Sequence, residues 1–461
     1  MTSYPAFKKI TIDDADFLRK YINNQHFNCD WAIANIICWQ DFYHVEWCFL
    51  LDHIIIRLHV NGGNAIGYML HPVADTPQLP LIIDLLSQDA AAFGQPLRLL
   101  SLAKDECNMI NHCARDPFFF DNDRDYEDYI YRSENLKTLK GSQYAAKRNH
   151  VNHFSSHYSY SYKPLTANQL DECLRLETAW RTKHFAHETE MTAEQKAIQY
   201  AFQHFDELKL IGGTLYVADQ LIAFTYGSEI NEQTFCVHIE KANTEYEGVF
   251  SVINYLFVNH LPEKYLYINR EDDLGLEGLR KSKLSYHPYQ MEPKYTALKS
   301  DAMMHAIINI WTQCFEDESD YVATFLVRYY IPEIAILRKV NDLHAAMMFM
   351  IPFDSELGRV FYIFGVATLP DFRHQGLATS MLNEAILHCK EHNINYLFLI
   401  PGNESLKIFY ANFGFEDVNL PVEFMVDFDF GTGNPEKNKA MILPLKDYSF
   451  PLPDTLHCKL F

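Results

Sequence analysis

Arg373, Gly376 and Ala378 stand in the run Arg-His-Gln-Gly-Leu-Ala, and their types and spacing suit the binding of a diphosphate. The arginine is a permanent cation. The glycine lacks a Cβ, so an oxyanion can approach the backbone. The elements on either side must supply the rest. Val360–Val366 is almost wholly apolar and rich in β-branched and aromatic residues, which predicts a strand buried on both faces. From Ala378 on, Met381, Leu382, Ala385, Ile386 and Cys389 recur at helical spacing. A strand, a short glycine loop and a helix start form an anion site. The first amides of the helix have no internal partner, and the dipole is positive there. The competing reading of Arg373 is a surface cation. At a helix start, however, a cation opposes the dipole, and an anion partner relieves that cost.

A second buried strand is predicted at Tyr396–Ile400, which makes a βαβ crossover. Asn403 then opens Asn-Glu-Ser-Leu-Lys-Ile-Phe-Tyr-Ala-Asn-Phe-Gly-Phe. Asn403 can cap the next helix. Tyr410 shares a helix with Leu406, Phe409 and Phe413 and can be a core aromatic. The whole run from Val360 to Phe415 resembles the GNAT family of acetyl-CoA-dependent N-acetyltransferases. The resemblance implies a site. Arg373, His374, Gln375, Gly376, Ala378 and Thr379 would cradle the coenzyme pyrophosphate. Backbone from Val366 to Thr368 would pair with the pantetheine arm where Gly365 permits a bulge, and the Val366 amide would polarise the thioester carbonyl. Asn403 would contact the coenzyme, and Tyr410 would be the acid that protonates the leaving thiolate. Acetyl-CoA is then a cosubstrate, and the acceptor is a small-molecule or peptide amine. Many members carry a glutamate base on the strand before the loop, and Val360–Val366 has none. Water, Tyr362 or a carboxylate within Glu316–Asp320 could deprotonate the amine. Glu316, Asp317, Glu318 and Asp320 fall between two predicted helices, Met303–Phe315 and Tyr321–Tyr330. They either face an incoming amine or form an ordinary acidic loop. Strands at Ile334–Val340 and His344–Ile351 should form a hairpin about Asn341-Asp342, and Val422–Phe430 with Lys439–Leu443 a closing hairpin across the loop 431–438.

The first 298 residues read differently. Leu50–Val60 is predicted as one strand, turning at residues 61–64 into Ala65–Leu70, with a helix over Pro80–Phe93. From Tyr131 the chain is basic and aromatic, with Lys137, Lys140, Lys147 and Arg148 near Tyr144. An amphipathic helix accounts for this, with Leu136, Leu139 and Tyr144 as core contacts. Three segments, at Leu136–Phe154, His238–Phe257 and Ile268–Pro288, together resemble the catalytic half of phosphatidylglycerol lysyltransferases. That resemblance implies two GNAT-like halves packed together, dividing near residue 160. It also raises an aminoacyl-tRNA donor, which the acidic charge disfavours. The Lys147–Asn149 and Arg280–Lys283 stretches would contact phosphates. Glu271-Asp272-Asp273 fits no EF-hand register and is expected to be an exposed loop.

Composition bounds the rest. A chain of 461 residues with 48% hydrophobic and 14% aromatic content can fill several cores. A net charge of −21 opposes broad nucleic-acid or anionic-membrane surfaces. The 10 cysteines form no Cys-x-x-Cys pair, and Cys107, His112 and Cys113 fit no common zinc spacing, so no metal is expected. The N-terminus lacks a signal core, and no apolar run reaches the ~20 residues that span a bilayer. A cytoplasmic α/β acyltransferase with mixed sheets is expected, in three GNAT-like units at 1–160, 161–298 and 300–461.

Overall fold

The computed structural model describes residues 5–22, 26–60, 62–74, 76–114, 116–184, 192–426, 428–430, 438–446 and 451–459. Residues 431–437 of the expected loop 431–438 lie outside the described residues. The strands in chain order are β1 (Lys8–Lys9), β2 (Glu46–Leu50), β3 (His53–Val60), β4 (Ala65–His71), β5 (Arg98–Leu102), β6 (Phe118–Asn122), β7 (Asp128–Arg132), β8 (Tyr160–Pro164), β9 (Ile211–Val217), β10 (Gln220–Asn231), β11 (Thr234–Ala242), β12 (Tyr267–Asn269), β13 (Gln290–Glu292), β14 (Tyr295–Lys299), β15 (Ala335–Val340), β16 (Leu343–Ser355), β17 (Gly358–Thr368), β18 (Tyr396–Leu399), β19 (Glu416–Phe424), β20 (Lys439–Pro444) and β21 (Leu456–Cys458). They form three seven-stranded mixed sheets, in orders β1-β2-β3-β4-β5-β14-β6, β13-β7-β12-β11-β10-β9-β8 and β15-β16-β17-β18-β20-β19-β21.

One unit recurs in all three. An antiparallel run (β2-β3-β4, β9-β10-β11, β15-β16-β17) leads into a helix, at Leu79–Ala92, Val249–His260 and Leu377–Glu391 respectively. The chain then returns as a strand parallel to the last: β5, β12 and β18. A parallel return needs a crossover, and the helix provides it while covering one sheet face. Leu79, Ile82, Ile83 and Leu86 are buried on the first of these helices, and Met381, Leu382, Ala385 and Cys389 on the third. On the opposite face of the third sheet lie helices Ala302–Cys314 and Ser319–Tyr329, centred on buried Trp311 and Phe325.

The first two sheets exchange strands. β7 follows β6 in the chain but joins the second sheet, and β14 returns to the first, between β5 and β6. The passage between sheets falls between Asn122 and Asp128 and again between Glu292 and Tyr295. Tyr160, near the expected division, opens edge strand β8. A second departure is at Leu50–Val60. Leu51 and Asp52 take left-handed φ values of 50° and 62°, so the run is a hairpin of β2 and β3 rather than one strand. The turn is hidden in the sequence because its first residue is apolar and neither is glycine. The third sheet is tied to the first through Arg98, whose guanidinium donates to the carbonyls of Val327 and Tyr330 (Tyr330 at 2.8 Å) at the end of helix Ser319–Tyr329. Arg328 on that helix bonds Asp121 at 2.6 Å.

Candidate active site

β17 bulges and then loses a neighbour. Between Phe364 and Ala367 it carries one residue more than β16 does opposite, and Gly365 has φ of 60°. A Cβ at Gly365 would meet the Phe349 ring at 3.3 Å and Trp311 at 3.5 Å, a tight fit, and the left-handed conformation is what favours glycine. β17 pairs with β18 only from Val360 to Tyr362. Beyond Tyr362 the edge of β17 that faced β18 has no strand partner among the described residues, and the sheet opens there. Val366 and Thr368 lie on this stretch, half-buried.

The loop at the end of β17 leads to a helix start with no cap. A 3-10 turn, Pro370–Phe372, precedes Arg373, and His374 and Gly376 both have left-handed φ, 62° and 78°. Gly376 is the N-cap residue of helix Leu377–Glu391, and among the described residues no side-chain cap hydrogen bond is made there. A Cβ at Gly376 would meet nothing within 4 Å. Arg373, His374, Gln375, Gly376 and Thr379 are exposed and Ala378 half-buried. The amides of Leu377, Ala378 and Thr379 are thus directed into an open space at the positive end of the helix. Arg373 folds back toward the strand, its Nε donating to the Thr368 carbonyl at 3.2 Å.

Asn403 caps helix Glu404–Ala411. Its Oδ1 accepts from the Leu406 amide at 3.0 Å and from Ser405 Oγ at 2.6 Å, which leaves Nδ2 as a donor. Tyr410 is 6% exposed and packs with Phe409 and Phe415 at ring separations of 5.2 and 6.0 Å. Burial pushes its phenol up to about 12. Tyr362 is buried between the rings of Phe364 and Phe398, and burial pushes its phenol far upward, which disqualifies it as a base at neutral pH. The acidic loop is exposed throughout. Asp317 Oδ2 accepts from Trp311 Nε1 at 2.9 Å, and the Trp311 ring lies against Phe364. The loop is therefore held beside the bulge. Asp320 and Asp429 line a pocket of about 330 Å³ with Tyr321, Thr324, Arg328 and Phe428.

A second polar site, which the sequence did not announce, lies where the first two sheets exchange strands. Lys294, on the passage between β13 and β14, is buried with Nζ 3.0 Å from Asp128, 3.2 Å from Asp30 and 3.4 Å from Asp272. Asp128 is fully buried and accepts from the Cys29 amide and Asn269 Nδ2. The expected exposed loop Glu271–Asp273 is part of this interior: Asp273 is fully buried and bonded by Arg280, and Glu271 pairs with His238 at 2.9 Å. Burial raises Asp272 to about 7, against the pull of Lys294. Of the basic stretches expected to meet phosphates, Lys281 and Asn149 are exposed, and other cations there have partners within the protein. Arg280 pairs with Asp125 and Asp273, Lys283 donates to the carbonyls of Arg270 and Asp272, and Lys147 lies 3.9 Å from the Tyr286 ring centre. Leu136, Leu139 and Tyr144 are core residues, as expected.

The second sheet also has a glycine, Gly248, at its crossover helix start, with φ of 83°. There a Cβ would meet the His150 carbonyl at 2.9 Å, so this helix start is covered by the preceding helix, Ala145–His157.

The sheet of the C-terminal domain opens beside the start of helix Leu377–Glu391, and two family models match the chain. Residues 295–418 match the family described as Acetyltransferase (GNAT) domain. Residues 23–298 match Phosphatidylglycerol lysyltransferase, C-terminal, which is more than half of the chain, and the chain belongs to that family. A conserved protein of unknown function from Bacteroides thetaiotaomicron is 36% identical, with a TM-score of 0.60, over 64% of this chain and 100% of that one. L-PGS from Bacillus licheniformis is 12% identical, with a TM-score of 0.47, over 69% of this chain and 98% of that one. An uncharacterised protein of Mycoplasmoides gallisepticum is 29% identical over 175 residues, 36% of this chain and 54% of that protein. The chain thus spans about half the length of that curated relative. The two family matches support acyltransferase activity, and the GNAT match use of an acyl-coenzyme A, in general. Among the described residues no helix is long and apolar enough to cross a membrane.

Proposed function

We propose that the C-terminal domain, residues 300–461, transfers acetyl from acetyl-CoA to a primary amine on a small molecule or peptide. The observation that carries this reading is the uncapped start of helix Leu377–Glu391 beside the opening between β17 and β18. The pyrophosphate would rest on the amides of Leu377, Ala378 and Thr379, with Gly376 allowing close approach and Arg373 swinging out from Thr368 to pair with it. His374 and Gln375 would border the same oxygens. The pantetheine arm would take the unpaired edge of β17 from Val366 to Thr368. The Val366 amide would stabilise the oxyanion as the amine attacks the thioester carbonyl. Asn403 would donate from Nδ2 to the coenzyme, and Tyr410 would protonate the departing thiolate. With Tyr362 buried, water or a carboxylate of the loop 316–320 receives the amine proton. The chemistry uses no metal. Within this proposal the N-terminal 298 residues form two further GNAT-like units, divided near residue 160 in the chain and interlocked in space, and the protein acts in the cytoplasm.

The test is thiol release from acetyl-CoA by the full chain across a panel of amines. Turnover with one amine class supports the reading, and none with any amine or peptide removes it.

The family match over residues 23–298 favours a second activity, aminoacyl transfer from an aminoacyl-tRNA by the N-terminal part. Binding of charged tRNA with a steep salt dependence would support it. If this part instead only presents the acceptor, substitutions at the seam would raise KM and spare kcat.

A further inference from the structure

We propose that Cys236, His238 and Glu271 form a binding site for one divalent transition-metal ion of the zinc class. The cysteine Sγ, a histidine ring nitrogen and a carboxylate oxygen all lie within 4.8 Å of one another. β11 bulges at His238, which has no Cα partner on β10, and its ring reaches Ser228, the residue paired with Cys236, so imidazole and thiol meet on one face. Glu271 reaches them from the end of β12 in a left-handed conformation, φ of 57°, which costs a non-glycine residue about 1 kcal/mol and persists where the surroundings demand it.

The neighbours are arranged as a ligand set requires. Ser228 Oγ lies 2.8 Å from His238 Nε2 and can accept its hydrogen bond, and Nδ1, bonded to Glu271 Oε1 at 2.9 Å, would exchange that bond for the metal. Asn35 Nδ2 donates to Glu271 Oε1 at 2.9 Å and fixes that carboxylate. Both are outer partners of the kind that orient metal ligands. Cys236 is fully buried and His238 nearly so. A thiolate, an imidazole and a carboxylate together suit zinc over magnesium or calcium, which prefer oxygen alone. Three protein ligands leave a fourth position, and Cys29, packed against Cys236, stands at its border. As the metal binds, the Cys236 thiol proton and the proton held between His238 Nδ1 and Glu271 both leave to solvent. Bound metal would pin Glu271, and with it Asp272, beside the Lys294 cluster. The site belongs to the N-terminal part and stands apart from the acetyl-transfer reading.

The test uses the purified full chain, stripped with a chelator and titrated with cobalt(II), a spectroscopic substitute for zinc. The expected result is saturation at about one ion per chain with a thiolate-to-cobalt charge-transfer band. Cys236→Ser should abolish the band, His238→Gln should weaken binding, and Ser228→Ala should lower affinity roughly 10- to 100-fold while keeping the band. Circular dichroism of each metal-free variant controls for folding, and Ser228→Ala decides the matter if Cys236→Ser fails to fold. No thiolate band in the unmutated chain, a band that survives Cys236→Ser, or an unchanged affinity in Ser228→Ala would overturn the assignment.

Discussion

Tyr410 shows how burial prepares a weak acid. Removal from water holds the phenol at about 12, so it remains a proton donor across the neutral range. A thiolate is a fair leaving group, with a thiol pKa near ~8.5, so the share of the acid is modest. Tyr410→Phe should therefore lower kcat roughly tenfold with coenzyme affinity intact, and steady-state kinetics with calorimetry checks both. In the unmutated enzyme the tyrosine should cause no fall in rate between about pH 7 and 10. Asn403 has two duties that substitution can separate. Asn403→Asp keeps the Oδ1 that caps the helix but replaces the Nδ2 donor with charge, so thermal stability should hold while the KM for acetyl-CoA rises. Asn403→Ala should in addition cost about 1 kcal/mol in melting experiments. At this scale the glycines were the legible residues. Gly365 and Gly376 both occupy left-handed backbone, a demand that their type advertises. Asp272 and Asp273 were not legible, because three adjacent acids look solvated until Lys294 is folded against Asp272 and Arg280 against Asp273.

Elements were read well where a turn residue marks their ends. Asn341 and Asp342 take φ of 49° and 65° and join β15 to β16, the pairing that asparagine and aspartate favour. Leu51-Asp52 makes a similar turn without such a mark, and β2 and β3 merged into one run. The crossover helices share a geometry that no sequence repeat betrays, since only Gly248 and Gly376 correspond by type. Their surroundings separate them: one start is covered by the His150 carbonyl and the other is open. A pH effect belongs to this scale too. His71 ends β4 against Trp31, and burial, aided by His53 and His26, lowers its pKa from 6.5 to about 4. The folded state therefore favours the neutral ring. That stability is present above pH 6.5 and is lost as pH falls toward 4, by up to about 3 kcal/mol. Denaturant unfolding from pH 7 to 4 should show a smaller loss in His71→Gln than in the unmutated chain, and an equal loss would exclude His71 as the cause.

At the scale of the molecule, strand exchange couples the first two sheets. A piece ending at residue 160 lacks β14, which lies between β5 and β6, and it carries β7 without its sheet. Residues 1–160 and 161–298 expressed separately should be insoluble or lack cooperative melting, whereas residues 1–298 should melt as one transition. Exchange of this kind is invisible to local patterns, because it is decided by which strand reaches an open edge first. The proposed coenzyme site is the reverse case, assembled from one strand, one loop and one helix contiguous in the chain. Its central claim rests on the open amides at Gly376. Isothermal titration of the full chain with acetyl-CoA, before and after Gly376→Glu, tests it most directly. A Cβ there meets nothing within 4 Å, and the left-handed φ of 78° costs a side chain about 1 to 2 kcal/mol, so circular dichroism should show a folded variant whose carboxylate occupies the anion site. Saturable binding in the unmutated protein that vanishes in the variant is the predicted result; equal binding in both, or none in either, would contradict the account.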